Sequence, residues 1–272
     1  MPPSRPRILY VSHLTYPARG RRYCDEDIYL TARLRSHFDL AIAHPEDAAA
    51  LMPGFDAVVV RNSGPVMDHP QAHADFRARA EATNQRVYNP LTGKADMAGK
   101  QYLIDLTDRG YPVIPTIDDP AHLDRLGETT EYVVKPKAGA DSHGLEFTTR
   151  DDLKVKAGTL IQPKIDFRYE VSFYFVDHDF QYALHAPDPA RRWELTHYDA
   201  TAEDLEFAQK FITWNDLPYG IQRVDACRTQ EGELLLVELE DLNPYLSLDR
   251  TTDEIRADFV SAMTRSIRRS LT

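Results

Sequence analysis

What the chain lacks narrows its class first. Only two cysteines occur among 272 residues, Cys24 and Cys227, and they stand in neither metal-ligand nor redox spacing. A disulfide framework needs more, so both read as free thiols of a reducing compartment. Positive charge is in deficit: 32 lysines and arginines face 43 aspartates and glutamates, a formal net charge of −11. Binders of nucleic acid or of an anionic membrane surface are usually basic, so neither partner is expected. The opening MPPSRPRILYVSH holds no apolar stretch long enough for a signal peptide or a membrane span, which makes the cytoplasm the expected location. Repeats and low-complexity tracts are absent. So are the common phosphate signatures: no Gly-Lys-Ser/Thr closes a glycine-rich loop, no dinucleotide fingerprint follows the first strand, and the protein-kinase motifs are missing.

What is present is ordinary for a globular protein: 42% hydrophobic and 28% charged residues, in a chain long enough for one large or two modest domains. The first half alternates strand-like and helix-like segments. Residues 8–11, 39–44 and 55–61 are apolar and short, while 25–38, 71–83 and 100–109 have helical spacing or composition. This alternation predicts a mostly parallel sheet covered on both faces. Ligands of such sheets bind beyond the carboxyl ends of the strands, which makes His13 and Arg61 to Gly64 candidate ligand-facing positions. From Tyr132 the pattern becomes strand-rich (YVVKP, GLEFTT, TLIQPKI, EVSFYFVD, FQYALHA, YGIQRVDACR, ELLLVELE), with one clear helix over 202–214 behind the capping signal Thr201 and Asp204. An α/β domain over 1–115 followed by an α+β domain over 116–272 is therefore expected.

The most informative segment is GIQRVDACRTQEGELLLVELEDLNP, residues 220–244. A hairpin turning at Glu231-Gly232 sets Thr229 against Leu234, Cys227 against Leu236, Asp225 against Glu238 and Arg223 against Glu240. Like charges directly across a ladder repel, and Arg223 neutralises only part of the cluster. A hard divalent cation, Mg²⁺ or Mn²⁺, suits such oxygen ligands; a screened solvent face is the plainer alternative. Upstream, YVVKPKAGADSHG places Lys135 at the end of an apolar run and follows it with a loop bracketed by Gly139 and Gly144. A lysine there can meet a phosphate as a point charge, and the loop can offer N–H donors at close approach. A mobile surface turn explains the loop equally well.

Taken together and in this order, these segments resemble the ATP-grasp superfamily of carboxylate–amine or carboxylate–thiol ligases. The likeness spans roughly residues 90–248. By that resemblance, Lys100 in NPLTGKADMAGKQYL is the first phosphate lysine and Lys135 the second. The loop with Gly139, Ser142, His143 and Gly144 is then the flap over the phosphates. LIQPKI becomes the hinge, where Gln162, Lys164 and Ile165 line adenine, and Glu170 meets the ribose. Arg223 touches the phosphates, and Asp225, Glu238 and Glu240 hold magnesium. The family usually ends this motif in Glu-x-Asn, whereas ELEDLNP reads Glu238-x-Glu240 with Asn243 further on. Either Glu240 replaces the asparagine, or Glu240 and Asn243 share the task. The resemblance further implies a small lid subdomain over about 116–163, a larger one over about 164–272, and ADP-forming activation of a small-molecule carboxylate for capture by an amine or similar nucleophile. A small-molecule kinase and a non-catalytic ATP-binding regulator use the same scaffold and stay open as alternatives. Arg192 in HAPDPARRWEL is a candidate for the γ-phosphate or the substrate carboxylate. Nothing in the sequence decides between a monomer and a homodimer.

Overall fold

The computed structural model describes residues 5–18, 21–62, 69–138 and 144–272. The first unit is built on β1 (Arg7–Ser12), β4 (Asp39–Ala43), β5 (Ala57–Asn62) and β6 (Val87–Tyr88), ordered β4-β1-β5-β6 and parallel throughout. A two-residue ladder of β2 (Pro17–Ala18) and β3 (Arg21–Arg22) follows the first strand. Helices α1 (Cys24–Leu34), α2 (Ala48–Leu51) and α3 (Pro70–Thr83) connect the strands. Strand β1 is buried from Ile8 to Ser12, as a parallel strand covered on both faces must be. Helix α3 begins on a proline, whose missing N–H is no loss there, and stops at Asn84 in the left-handed conformation.

After α4 (Tyr102–Asp108) the chain forms two antiparallel sheets. The smaller, β8-β7-β9, comprises β7 (Glu131–Pro136), β8 (Glu146–Thr149) and β9 (Thr159–Pro163). The larger, β12-β11-β10-β13-β14, comprises β10 (Phe167–Val176), β11 (Asp179–Ala186), β12 (Thr196–His197), β13 (Ile221–Thr229) and β14 (Leu234–Glu240). Helix α5 (Ala202–Asn215) has the expected capping box, with Thr201 and Asp204 each accepting from the other's backbone N–H. The parallel-then-antiparallel architecture is the one the sequence pattern implies. Among the described residues, no helix is long and apolar enough to cross a membrane.

Three findings depart from expectation. A long final helix, α6 (Asp253–Ser270), was not foreseen. Its Phe259, Met263 and Ile267, spaced one turn apart, are buried in one core with Ile8, Tyr10 and Leu30 of the first unit and Tyr174 and Tyr182 of the large sheet. Arg61 is not a loop residue facing ligand. It lies within β5, one residue before its end, is buried, and donates to Glu26 (3.1 Å) and to the carbonyl of Pro244 (2.8 Å). Glu26 in turn accepts from the N–H of Leu246 at 3.0 Å, so the first unit grips the loop that leaves β14.

The third concerns the β13–β14 hairpin. Thr229 binds Glu233 across a three-residue turn containing Gly232 at φ +95°, which sets Arg228 opposite Leu234 and Cys227 opposite Leu235. That register is one residue off the expected pairing. A bulge between Asp225 and Ala226 then absorbs Val237 and restores it, so Asp225 faces Glu238 and Arg223 faces Glu240.

Candidate active site

Lys100 stands just ahead of α4, almost fully buried, where its ammonium meets Asp96 at 3.1 Å and Glu238. Its backbone N–H donates to the carbonyl of Lys137 at 2.8 Å, which ties this turn to the end of β7. Asp241 holds the turn from below. Its buried carboxylate accepts from the N–H groups of Met97 (2.7 Å) and Ala95 (3.3 Å) and from Asn215 (3.0 Å). Burial nevertheless pushes the Asp241 carboxyl up to about 6. Gly93 makes this packing possible, since a Cβ there would come within 2.1 Å of Asp241 Oδ2.

Lys135, near the end of β7, is the second cation of the site. Burial, and then the charge of Lys100, push its ammonium down to about 7, with Asp96 pulling the other way. Lys137 is engaged elsewhere, its ammonium 2.8 Å from Asp118. Of the expected flap, Gly139, Ser142 and His143 lie outside the described residues. Gly144 is described: it has φ +73° and lies so close to Pro136 that a Cβ would come 2.9 Å from the proline ring.

The acidic side of the site is the β13–β14 ladder. Arg223 donates to Asp225 (2.8 Å), Glu240 (2.6 Å) and the carbonyl of Tyr245 (2.8 Å). Burial works against its charge, but Asp225 and Glu240 outweigh it and hold the guanidinium above its ordinary value. Ser172 of β10 donates to Asp225 at 2.6 Å. Burial raises the Glu240 carboxyl to about 8; Asp225 and Asp96 raise it further, against the pull of Arg223 and Lys100. Asn243 lies just past β14, half-buried. Asp96, which sequence reasoning passed over, carries an Oδ1 that is buried and has no hydrogen-bond partner.

Asp96, Asp225, Glu238 and Glu240 thus outnumber the cations Lys100, Lys135 and Arg223. An all-oxygen donor set of half-buried acids in excess of the cations, with one buried, orphaned oxygen on Asp96, fits a hard divalent cation. Lys100 already meets two acids, whereas the charges that act on Lys135 are those of Lys100 and Asp96, and a phosphate would suit its ammonium.

The remaining expected residues divide. Gln162 is buried, its backbone paired to β7 and its amide donating to Thr116 at 2.8 Å, so its side chain is engaged inside the protein. Lys164 pairs with Glu131 at 2.8 Å beside a half-buried Ile165. Glu170 and Arg192, expected in separate roles, form one bidentate pair with both contacts at 2.7 Å. Burial raises the Glu170 carboxyl, and Arg192 opposes that shift. Ser172 and Asp241 were missed as well. Asp241 had a signal, being the third acid in ELED next to the proposed metal ligands.

A scan against known protein families finds no match. The cycloserine biosynthesis protein DcsG of Streptomyces lavendulae is 26% identical, with 76% of this chain and 82% of that protein covered. Among solved structures, that of D-cycloserine synthetase DcsG aligns with a TM-score of 0.74 at 22% identity, covering 98% of this chain and 100% of the other. D-alanine–D-alanine ligase from Bacillus anthracis, complexed with ATP, aligns at 0.67 and 13% identity, covering 98% and 97%. The ATP-grasp ligase PsnB, complexed with a phosphomimetic variant of its minimal precursor, Mg and ADP, aligns at 0.62 and 17%, covering 94% and 98%.

Proposed function

The chain has the ATP-grasp fold, and on that premise we propose that it is an ADP-forming, ATP-dependent ligase. It activates a small-molecule carboxylate as an acyl phosphate for attack by an amine or similar nucleophile. The observation that carries this reading is the Lys100 ammonium against Glu238 and Asp96, with Lys135 in electrostatic reach of Lys100 and Arg223 between Asp225 and Glu240. The ligase names of its relatives, cycloserine synthetase and D-alanine–D-alanine ligase, support an amino-acid-type carboxylate and C–N bond formation.

In this reading Lys100 and Lys135 take up the phosphates of ATP. Asp225, Glu238 and Glu240 hold magnesium, with Asn243 beside them, and manganese can replace it on the same oxygen donors. The bound cation supplies charge neutralisation at the transferring phosphoryl group. Arg223 orients the acids and reaches the same group. The hinge at Gln162, Lys164 and Ile165 borders adenine, with backbone groups and not the Gln162 amide making the contacts. Glu170 serves the ribose once Arg192 swings from it toward the γ-phosphate or the substrate carboxylate. The flap of Gly139, Ser142, His143 and Gly144 covers the phosphates. The substrate carboxylate attacks the γ-phosphorus and expels ADP; the nucleophile then attacks the acyl carbon and expels phosphate. Most of this catalysis is positioning and electrostatics. The net charge of −11 agrees with small-molecule partners in place of nucleic acid, and a cytoplasmic setting would supply ATP.

The test is a screen of amino acids and other carboxylates, with and without amines, for magnesium-dependent phosphate release. A ligase releases ADP and phosphate only when acid and nucleophile are both present, or are joined in one substrate. A persisting phosphorylated product would make the protein a kinase, and ATP binding without turnover on any substrate would make it a regulator.

A further inference from the structure

The first unit carries a second constellation that the ligase reading does not use. His13 directly follows β1, His44 directly follows β4, and His69 caps α3. Parallel strand order brings the ends of β1 and β4 side by side, so residues 31 positions apart meet there. One ring-nitrogen ligand atom from each of the three lies within 4.8 Å of the others, and all three side chains are half-buried.

We propose that His13, His44 and His69 form a binding site for a divalent first-row transition ion of the zinc class, distinct from the magnesium carboxylates. Three imidazoles around a tetrahedral ion, with metal–nitrogen distances of about 2.0–2.1 Å, place their ring centres roughly 5 Å apart. The observed separations are 4.7 Å for His13–His44, 5.2 Å for His13–His69 and 5.6 Å for His44–His69. The planes are mutually tilted, by 57°, 39° and 88°, an arrangement that rings converging on one point can adopt.

The outer partners are present too. Glu46 Oε1 lies 3.5 Å from Nδ1 of His69 and its Oε2 4.0 Å from Nδ1 of His44. Nδ1 of His13 is 3.5 Å from the Thr15 hydroxyl. A carboxylate beside the ring, as Glu46 is to His69 and His44, is what orients and strengthens a metal-bound imidazole; Nδ1 of His44 also accepts from the backbone N–H of Glu46 at 3.3 Å. Imidazole ligands suit zinc, copper, nickel and cobalt and suit magnesium poorly. The fourth position is left to water or to a ligand.

The experiment uses the full, untagged chain stripped of metal and titrated with Co²⁺ and then Zn²⁺. We expect one ion per chain, an intense visible Co²⁺ spectrum of tetrahedral type that Zn²⁺ abolishes, and a Tm raised by Zn²⁺. His13→Ala, His44→Ala and His69→Ala should each weaken Co²⁺ binding at least 100-fold and Glu46→Gln about 10-fold, while Asp225→Asn leaves it unchanged. Absence of the tetrahedral spectrum from the wild-type chain overturns the proposal, whatever the variants do. So does a spectrum that survives His44→Ala, or one that is lost in Asp225→Asn, since the ion would then sit among the carboxylates. Neither outcome depends on the ligase reading, which is judged by phosphate release.

Discussion

Lys135 is half-buried within electrostatic reach of Lys100, and desolvation together with that neighbour brings the Lys135 ammonium down to about 7. The direction has a defined consequence. A lysine whose folded value lies below its unfolded value of 10.5 binds fewer protons when folded, so it destabilises the fold fully below pH 7 and ceases to do so above about 10.5. Lys135→Met should therefore stabilise the ligand-free protein at pH 6 and have little effect at pH 10.5, as urea unfolding at the two values would show. The same group must be charged to meet phosphate. ATP affinity of the wild type should fall as pH rises from about 7, and a flat profile in calorimetry would refute the phosphate role.

Asp225 is held by Ser172 and Arg223 and faces Glu238. Asp225→Asn keeps the shape and removes one anionic ligand. Magnesium-dependent turnover should drop at least about 100-fold, the scale seen when one electrostatic group is removed from such a site. Unaltered magnesium dependence of ATP binding and turnover would mean that the hairpin acids do not hold the ion.

Gly93→Ala drives a Cβ into Asp241. Overpacking of this kind costs about 1–3 kcal/mol, and the displaced carboxylate would release the N–H groups of Ala95 and Met97. A lower Tm and a raised KM for ATP are expected together, because the same turn carries Lys100. A variant that loses stability with its KM intact would separate Asp241 from the positioning of Lys100.

Arg61→Met removes a buried cation between Glu26 and the Pro244 carbonyl. Burial raises the nearby Asp27 carboxyl and Arg61 counters it, so the variant leaves buried acids unbalanced. Breaking such a group costs roughly 3–5 kcal/mol. Denaturant unfolding that shifts by less than about 1 kcal/mol would mean the pair is not what closes the first unit over the β14 exit.

The alternating architecture was legible because apolar runs and helical spacing are local properties. The pairing of Asp225 with Glu238 came out right through two compensating one-residue shifts; neither the longer turn nor the bulge leaves a mark in the hydrophobic pattern. Arg61 looked like a loop residue because its partners Glu26 and Pro244 are 35 and 183 positions away. Helix α6 could have been found from Thr252 and the spacing of Phe259, Met263 and Ile267, but its many charges masked the apolar stripe. Glu170 and Arg192 were each singled out, yet their union depends on β10 and the segment after β11 lying side by side.

The placement of α6 has a consequence for how the chain is made. Ile8, Tyr10 and Leu30 leave the ribosome well before Phe259, Met263 and Ile267, which share their core. The parallel sheet therefore cannot finish its own interior when it emerges and must wait, with apolar surface uncovered, for α6 to arrive. Emergence of α6, more than emergence of either sheet, becomes the event that completes this core.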